Sequence, residues 1–244
     1  MLTKSRGIVL HTVKYNDDTL IADILTEREG SVGFAVRIPA SRRTAVKPAL
    51  LQPLALVELE WDSRPSQASG GLGRMKSLRA PSPYTSLYYE PQKAAVGLFL
   101  AEFLHHALHG EPPSEAMFNY IWQSLLWFDA CPADYANFHL VFLLRLSRFF
   151  GFYPNVEDYS AETFFDLQNS TFCTARPDHP HYLAPDDACH LPHLMRMQYQ
   201  SMKLFHLSGA QRSRLLRFAV DFYRLHLPQF PELKSLPVLQ SVFA

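Results

Sequence analysis

The hydrophobic period of this chain changes at Pro81, Ser82 and Pro83, and that change constrains the fold more than any other feature. Before the prolines, apolar residues alternate with polar or small ones at period two, which is typical of β-strands. We predict five short strands, at residues 8–13, 20–26, 31–38, 54–61 and 72–79. Because no helix of ordinary length fits between them, residues 1–80 predict a small closed barrel.

After the prolines, apolar residues recur at helical spacing, so residues 81–244 predict an α-helical domain and the whole chain an α+β, two-domain fold. Residues 138–150 are apolar on nearly all sides, which predicts a buried central helix that ends at Gly151. Ser208 and Gln211 have the spacing of a capping box and predict the start of a last long helix.

Residues 152–195, rich in Pro, Asp and His, predict an irregular insertion between these helices. It contains Cys173 and Cys189, which together with nearby histidines raise the question of zinc. Structural zinc sites commonly use paired Cys-x-x-Cys knuckles, whereas each cysteine here stands alone. The sequence therefore favours no metal and no cofactor, and a zinc ion held by Cys173, Cys189 and two histidines is the weaker alternative.

Composition excludes several classes of protein. Hydrophobic residues make up 48% of the chain and charged residues 19%, which is typical of a folded globular protein. No apolar run approaches the ~20 residues that a membrane-spanning helix needs, and the apolar stretch near the start is too short for a signal peptide. Three cysteines are too few for a disulfide scaffold. We therefore expect a reduced, cytoplasmic protein.

The zero net charge conceals an imbalance between the two halves. Residues 1–80 carry 12 Lys and Arg against 8 Asp and Glu, whereas residues 81–244 carry 11 against 15. Clustered basic residues on a barrel could neutralise successive phosphates of a nucleic acid. The candidates are Lys4, Arg6, Lys14, Arg37, Arg42, Arg43, Lys47, Arg74, Lys76 and Arg79 on the barrel, and Arg214, Arg217 and Arg224 on one face of the last helix. A solvated, charged surface without a ligand is the alternative.

Motifs for catalysis are weak. Glycines at positions 70, 71 and 73 lack the Gly-Lys-Ser/Thr of a phosphate-binding loop. His105, His106 and His109 lack the His-Glu-x-x-His arrangement of a zinc protease and are expected to be ordinary helix-face histidines. Asp23, with Asp17 and Asp18, is explained by a turn and a strand. We predict no catalytic residue and no enzyme.

Three regions of the chain, its opening, a central helix and its C-terminal end, resemble a known family. Residues 7–10 (GIVL), 15–20 (YNDDTL) and 25–30 (LTEREG) are similar to the opening of the RecO family of bacterial DNA repair and recombination mediators. Residues 142–155 (FLLRLSRFFGFYPN) resemble its helix that ends in Gly, an aromatic residue and Pro-Asn, and residues 233–239 (LKSLPVL) resemble its C-terminal signature. The three matches follow the family's order.

The resemblance implies an N-terminal OB-fold and a helical C-terminal domain. It also implies binding of single- and double-stranded DNA, annealing of complementary strands and, with RecR, loading of RecA onto strands coated by single-stranded-DNA-binding protein. The chain departs from the family in two places. Residues 38–41 interrupt a Lys-Gly-x-Arg-Arg-like stretch after the third strand, and the two Cys-x-x-Cys pairs of many members are reduced to Cys173 and Cys189.

The resemblance further implies that the helical half receives the acidic, aromatic-ended tail of single-stranded-DNA-binding protein. We expect Phe142 and Phe149 to wall an apolar pocket, and Arg145 and Arg148 to meet the tail's carboxylates. Two alternatives remain open at this point. One is an adaptor that docks RecR or a related partner without binding DNA, and the more distant one is an enzyme that acts through the cysteine and histidine loop.

Overall fold

The computed structural model describes residues 2–37, 48–62 and 71–242. It divides into two compact units, Met1–Ala130 and Cys131–Ala244, which are described separately. No helix in the described part of the chain has the length and apolar character to cross a membrane.

The first unit contains a closed five-stranded barrel, as the sequence predicts. Its strands are β1 (Leu2–Asn16), β2 (Thr19–Thr26), β3 (Gly30–Arg37), β4 (Leu56–Asp62) and β5 (Gly73–Arg79), with a 3-10 turn at Pro48–Leu51 before β4. They close in the order β1-β2-β3-β5-β4. Every pairing is antiparallel except the short parallel contact between β3 and β5. This is the small closed barrel that the alternating pattern predicts, and it has the OB-fold-like form that the resemblance implies.

Alternate residues of the strands fill the barrel. Phe34 and Trp61 meet edge to face with ring centroids 5.6 Å apart, and both are almost fully buried. Aliphatic side chains surround this pair: Val9, Ala22, Ile24, Val36, Val57, Leu59 and Leu78. β1 is longer than predicted because its polar first half, which has no apolar alternation, pairs with β4 from Leu2 to Ile8.

Two helices complete the first unit: α1 (Pro91–Ala107) and α2 (Glu115–Ala130). The connection from the barrel is fastened to the end of α2 by Asp129. Its carboxylate accepts hydrogen bonds from the backbone N–H groups of Thr85, Ser86 and Leu87 at 2.9, 2.8 and 2.8 Å. The barrel strands end near residue 80, at the predicted domain boundary, but the compact unit extends to Ala130.

The second unit is built around α3 (Phe138–Leu146) and α6 (Gly209–His226). α3 is shorter than the predicted helix, because its last turn continues as a 3-10 helix at Ser147–Phe150 before Gly151 adopts a φ of 79°. The capping box of α6 is confirmed: Ser208 Oγ accepts from the backbone of Gln211, whose side chain accepts from the backbone of Ser208.

The remaining elements of the second unit are short. The insertion that the sequence predicts to be irregular holds a three-stranded sheet and two small helices: β6 (Phe164–Asp166), β7 (Thr171–Cys173), β8 (Tyr182–Leu183), α4 (Pro185–Ala188) and α5 (Leu191–Arg196). The chain's described part ends with α7 (Ser235–Val242).

Candidate nucleic-acid interface

Three basic residues, Arg37, Arg74 and Lys76, lie at or just beyond the short segment where β3 and β5 run side by side. The parallel register pairs Phe34 with Gly73 and Ala35 with Arg74, and on each strand the next basic residue, Arg37 or Lys76, comes two positions after the last paired residue. Val36, between Ala35 and Arg37, is buried in the barrel, which turns its two neighbours outward. All three basic side chains are exposed, and among the described residues no carboxylate lies within ion-pair distance of them. We call these three residues the β3–β5 basic cluster.

A β-bulge allows the basic residues of β5 to share one side of the barrel. Arg74 and Arg79 are an odd number of positions apart, so in a regular strand their side chains would point to opposite faces. The register between β4 and β5 shifts by one residue, which leaves Lys76 without a partner and places Arg74 opposite Asp62 and Arg79 opposite Glu58. Arg74, Lys76 and Arg79 therefore all face solvent, which a strand of regular alternation would not allow.

Basic residues of β1 and β5, the two neighbours of β4 in the barrel, form ion pairs with carboxylates on β4. Lys4 Nζ lies 2.7 Å from Glu60 Oε1, and Arg79 Nε lies 3.7 Å from Glu58 Oε2. The hydrogen bond from Lys4 lowers the pKa of Glu60. These residues line a shallow groove of about 200 Å³ together with Ser5, Arg6 and Ser77. Because the charges alternate in sign, this groove is a poorer phosphate track than the β3–β5 basic cluster.

Arg6, predicted to contact DNA, binds other parts of its own unit. Its Nε donates to Glu27 Oε2 at 3.0 Å, and its Nη2 donates to Asn119 Oδ1 at 2.7 Å. The guanidinium also lies over the rings of Phe118 and Trp122 in α2, 5.3 and 5.2 Å from their centroids. Arg6 thus fastens α2 to the barrel, and we remove it from the set of DNA-binding candidates.

The other barrel candidates fall at one end or outside the described structure. Lys14, near the end of β1, forms an exposed ion pair with Asp17 at 3.1 Å. Arg42, Arg43 and Lys47 lie outside the described residues, in the segment that directly follows Arg37 in the sequence.

The three predicted arginines of α6 do not form an unopposed basic face. Arg214 Nε lies 2.9 Å from Asp187 Oδ1, and Arg224 lies 3.7 Å from Asp221 and 3.8 Å from Glu232. Arg217 is exposed, and within the described part of the chain no carboxylate is in ion-pair distance of it. Two of these three charges are therefore balanced inside their own unit.

Two of the four residues predicted to bind a partner peptide are poorly placed for that role. Phe142 is fully buried in α3, and Arg145 Nη2 donates to the backbone carbonyl of Met197 at 3.1 Å. The prediction of a pocket wall at Phe142 is wrong for this structure, because a residue with no exposed surface cannot contact a partner. Arg148 and Phe149 are exposed, and the Arg148 guanidinium lies 4.0 Å above the Tyr153 ring and donates to its hydroxyl.

The cysteines of the insertion have local hydrogen-bond partners. Cys173 Sγ lies 3.8 Å from the Phe164 carbonyl, and Cys189 Sγ lies 3.2 Å from the Asp186 carbonyl. Burial raises the pKa of Cys173, which disfavours the thiolate that a metal requires. The absence of zinc from this loop stays a prediction.

Sequence reasoning missed a different group of polar residues, on the first unit. His11 of β1, Asp23 of β2 and His105 of α1 bring three potential ligand atoms within 4.8 Å of one another. Burial lowers the pKa of His105, and His11 lowers it further, while Asp23 opposes the shift. No spacing signal could have found this group, because its members are separated by 12 and 82 positions and meet only through strand pairing and helix packing.

Comparison with known proteins identifies the family. The sequence model described as Recombination protein O N terminal matches residues 1–82, and that of Recombination protein O C terminal matches residues 89–237. This chain belongs to the RecO family. It is 49% identical over 244 residues to the DNA repair protein RecO of Bacteroides fragilis strain ATCC 25285, and 47% identical over 244 residues to that of Phocaeicola vulgatus. Each alignment covers 100% of both proteins.

A more distant relative, the DNA repair protein RecO of Flavobacterium psychrophilum, is 30% identical over 246 residues and also matches across its full length. The family that the segments at 7–30, 142–155 and 233–239 indicated is therefore confirmed, and the chain is a DNA repair protein of that family.

Proposed function

We propose that this RecO-family protein binds single- and double-stranded DNA through the β3–β5 basic cluster and anneals complementary strands. The observation that carries the proposal is that Arg37, Arg74 and Lys76 are exposed near the same contact between β3 and β5, and that no carboxylate among the described residues lies within ion-pair distance of them. Lysine and arginine in such a group release counterions from phosphates on binding, which supplies affinity without sequence preference.

The cluster lies on a barrel of the kind that commonly binds single strands. OB-fold barrels guide the backbone along a positive groove, and site sizes run to several nucleotides. Arg42, Arg43 and Lys47 follow Arg37 within ten residues of sequence, so the same chain segment carries further positive charge. Binding DNA through basic residues needs no catalytic group. We therefore propose that the protein is not an enzyme.

We further propose that the protein acts in the cytoplasm with RecR to load RecA onto strands coated by single-stranded-DNA-binding protein. The exposed Arg148 and Phe149 are the proposed receptor for that protein's acidic, aromatic-ended tail, since a cation and an apolar ring are adjacent there. A fluorescent tail peptide should bind with an affinity on the order of micromolar, as small transient interfaces do. Arg148→Glu should abolish that binding and leave DNA binding unchanged, whereas normal peptide binding by this variant would exclude the site.

A pair of matched variants tests the DNA proposal. Arg37 and Arg28 are both exposed arginines at opposite ends of β3, with Arg28 in the turn before its first residue. They are separated by about 25 Å, from a rise of about 3.3 Å per residue. Arg37→Gln should weaken binding of a labelled single strand, and Arg28→Gln should leave it nearly unchanged, although both remove one positive charge.

Equal effects of the two substitutions would show that DNA binding depends only on the net charge of the protein, and would contradict a specific binding site. If the unaltered protein binds no DNA but still binds RecR, the adaptor alternative is correct. Fluorescence anisotropy with a labelled oligonucleotide, repeated with RecR present, distinguishes these outcomes.

A further inference from the structure

His11, Asp23 and His105 form a cluster that the DNA-binding proposal does not use. Nδ1 of His11 and Nδ1 of His105 each lie 3.6 Å from the same oxygen, Oδ2 of Asp23. The two imidazole rings lie beside each other, with centroids 4.5 Å apart and planes inclined by 31°. Two nitrogens and one carboxylate oxygen therefore converge on one small volume.

The local sequence accounts for this convergence. His11 and Asp23 are direct partners in the register of β1 and β2, immediately after an irregularity between Val9 and His11. Asp23 is in turn opposite Gly33 of β3. A Cβ atom at Gly33 would lie 3.3 Å from Asp23 Oδ1, so the glycine leaves room for the carboxylate. His105 enters from the last turn of α1.

The spacing suits a metal ion better than direct hydrogen bonds. An N–H···O hydrogen bond has its heavy atoms about 2.7–3.2 Å apart, and both Nδ1···Oδ2 distances are longer. Zinc binds imidazole nitrogen and carboxylate oxygen at about 2.0–2.1 Å, so neighbouring ligands of a tetrahedral ion are about 3.4 Å apart. The observed 3.6 Å on both sides is close to that edge length.

We propose that His11, Asp23 and His105 bind one divalent transition-metal ion of the zinc class. Two imidazoles and one carboxylate are a donor set that zinc accepts, with the fourth position left to water or another ligand. This site lies outside the insertion at 152–195, where the sequence offered Cys173 and Cys189 as possible zinc ligands. The proposal also departs from the prediction that this chain binds no metal. The bound ion would join β1 and β2 to the end of α1 and stabilise the first unit.

Metal titration of the full-length protein tests the proposal. After dialysis against a chelator, the protein should bind one Zn²⁺ per chain by calorimetry, and its melting temperature should rise with zinc concentration, because the ion binds the folded state. Co²⁺ should give the visible d–d absorption of a tetrahedral nitrogen and oxygen site. Thiolate-to-cobalt charge-transfer absorption would instead locate the metal at cysteines and overturn the proposal.

Matched variants locate the site. His105→Gln and Asp23→Asn should each weaken zinc binding more than about tenfold, the size of effect seen even for residues that only support metal ligands. His106→Gln, one position along α1, and the double variant Cys173→Ser/Cys189→Ser should bind zinc normally. His11→Gln is a further ligand variant. Because His11 is exposed on its strand, we expect this substitution to leave the fold intact, and circular dichroism checks that expectation.

The proposal fails if the unaltered protein binds no zinc, or if His11→Gln, folded by circular dichroism, binds zinc as tightly as the unaltered protein. It also fails if the cysteine variant alone loses the metal.

Discussion

Replacing Arg6 by Met should destabilise the protein while leaving DNA binding almost intact. The substitution keeps the aliphatic length of the side chain but removes its hydrogen bonds to Glu27 and Asn119 and its contacts above Phe118 and Trp122. Hydrogen bonds to charged groups are worth about 1.5–3 kcal/mol, and exposed ion pairs about 0–1 kcal/mol. Because the Arg6 side chain is 33% exposed, we take about 2 kcal/mol for the whole group.

Urea unfolding measures this loss. With a slope of about 2 kcal/mol per molar urea, the midpoint should fall by about 1 M. The effect should also depend on pH. The hydrogen bond from Arg6 lowers the pKa of Glu27 against the opposing effect of burial, so its contribution is present above the unfolded value of 4.5 and is lost as pH falls through the folded value.

The stability difference between Arg6→Met and the unaltered protein should therefore be full at pH 7 and shrink below about pH 4. Glu27→Gln is the matched control, and a double-mutant cycle with Arg6→Met isolates the coupling between the two side chains. An Arg6→Met protein of unchanged stability that has lost DNA binding would refute the structural role assigned to this arginine.

Three further predictions follow from buried or capping groups. Asp129→Asn should destabilise the first unit by about 1–3 kcal/mol at pH 7, since three backbone N–H groups would lose a charged acceptor, and the difference should shrink in acid; urea unfolding at pH 7 and pH 3 checks both. Burial raises the pKa of Asp129, but these hydrogen bonds lower it by more, so the pKa in the folded protein is lowered. The stabilisation that Asp129 contributes is therefore lost as pH falls through this folded-state pKa. Ser208→Ala should cost about 1 kcal/mol by removing the cap of α6, and Ser213→Ala on the same helix should cost less. Burial lowers the pKa of His139 to about 3, so the unfolded chain takes up a proton first as pH falls below 6.5; stability should decline from there toward pH 3, and His139→Gln should flatten that decline.

The period of the sequence predicted the barrel because a closed sheet buries one face of every strand, and alternation records that face directly. Alternation did not predict the part of β1 before Gly7, because pairing with β4, rather than burial of one face, extends the strand there. The shared outward direction of Arg74, Lys76 and Arg79 depends on a bulge that alternation cannot show.

Charge patterns in the sequence identified the basic residues without their partners. Arg6, Arg214 and Arg224 are balanced by carboxylates 21, 27 and 3 or 8 positions away, and only tertiary structure brings the distant ones together. Phe142 was misplaced because apolar residues on a helix that is apolar all round give no indication of which side is exposed.

The salt dependence of single-strand binding tests the central claim most directly. For single strands, the slope of log affinity against log salt is about −0.7 per phosphate neutralised. The triple variant Arg37→Gln/Arg74→Gln/Lys76→Gln should therefore bind more weakly at low salt, with a slope shallower by about 2. A triple variant that retains both the affinity and the slope of the unaltered protein would contradict the assignment of the DNA site to the β3–β5 basic cluster.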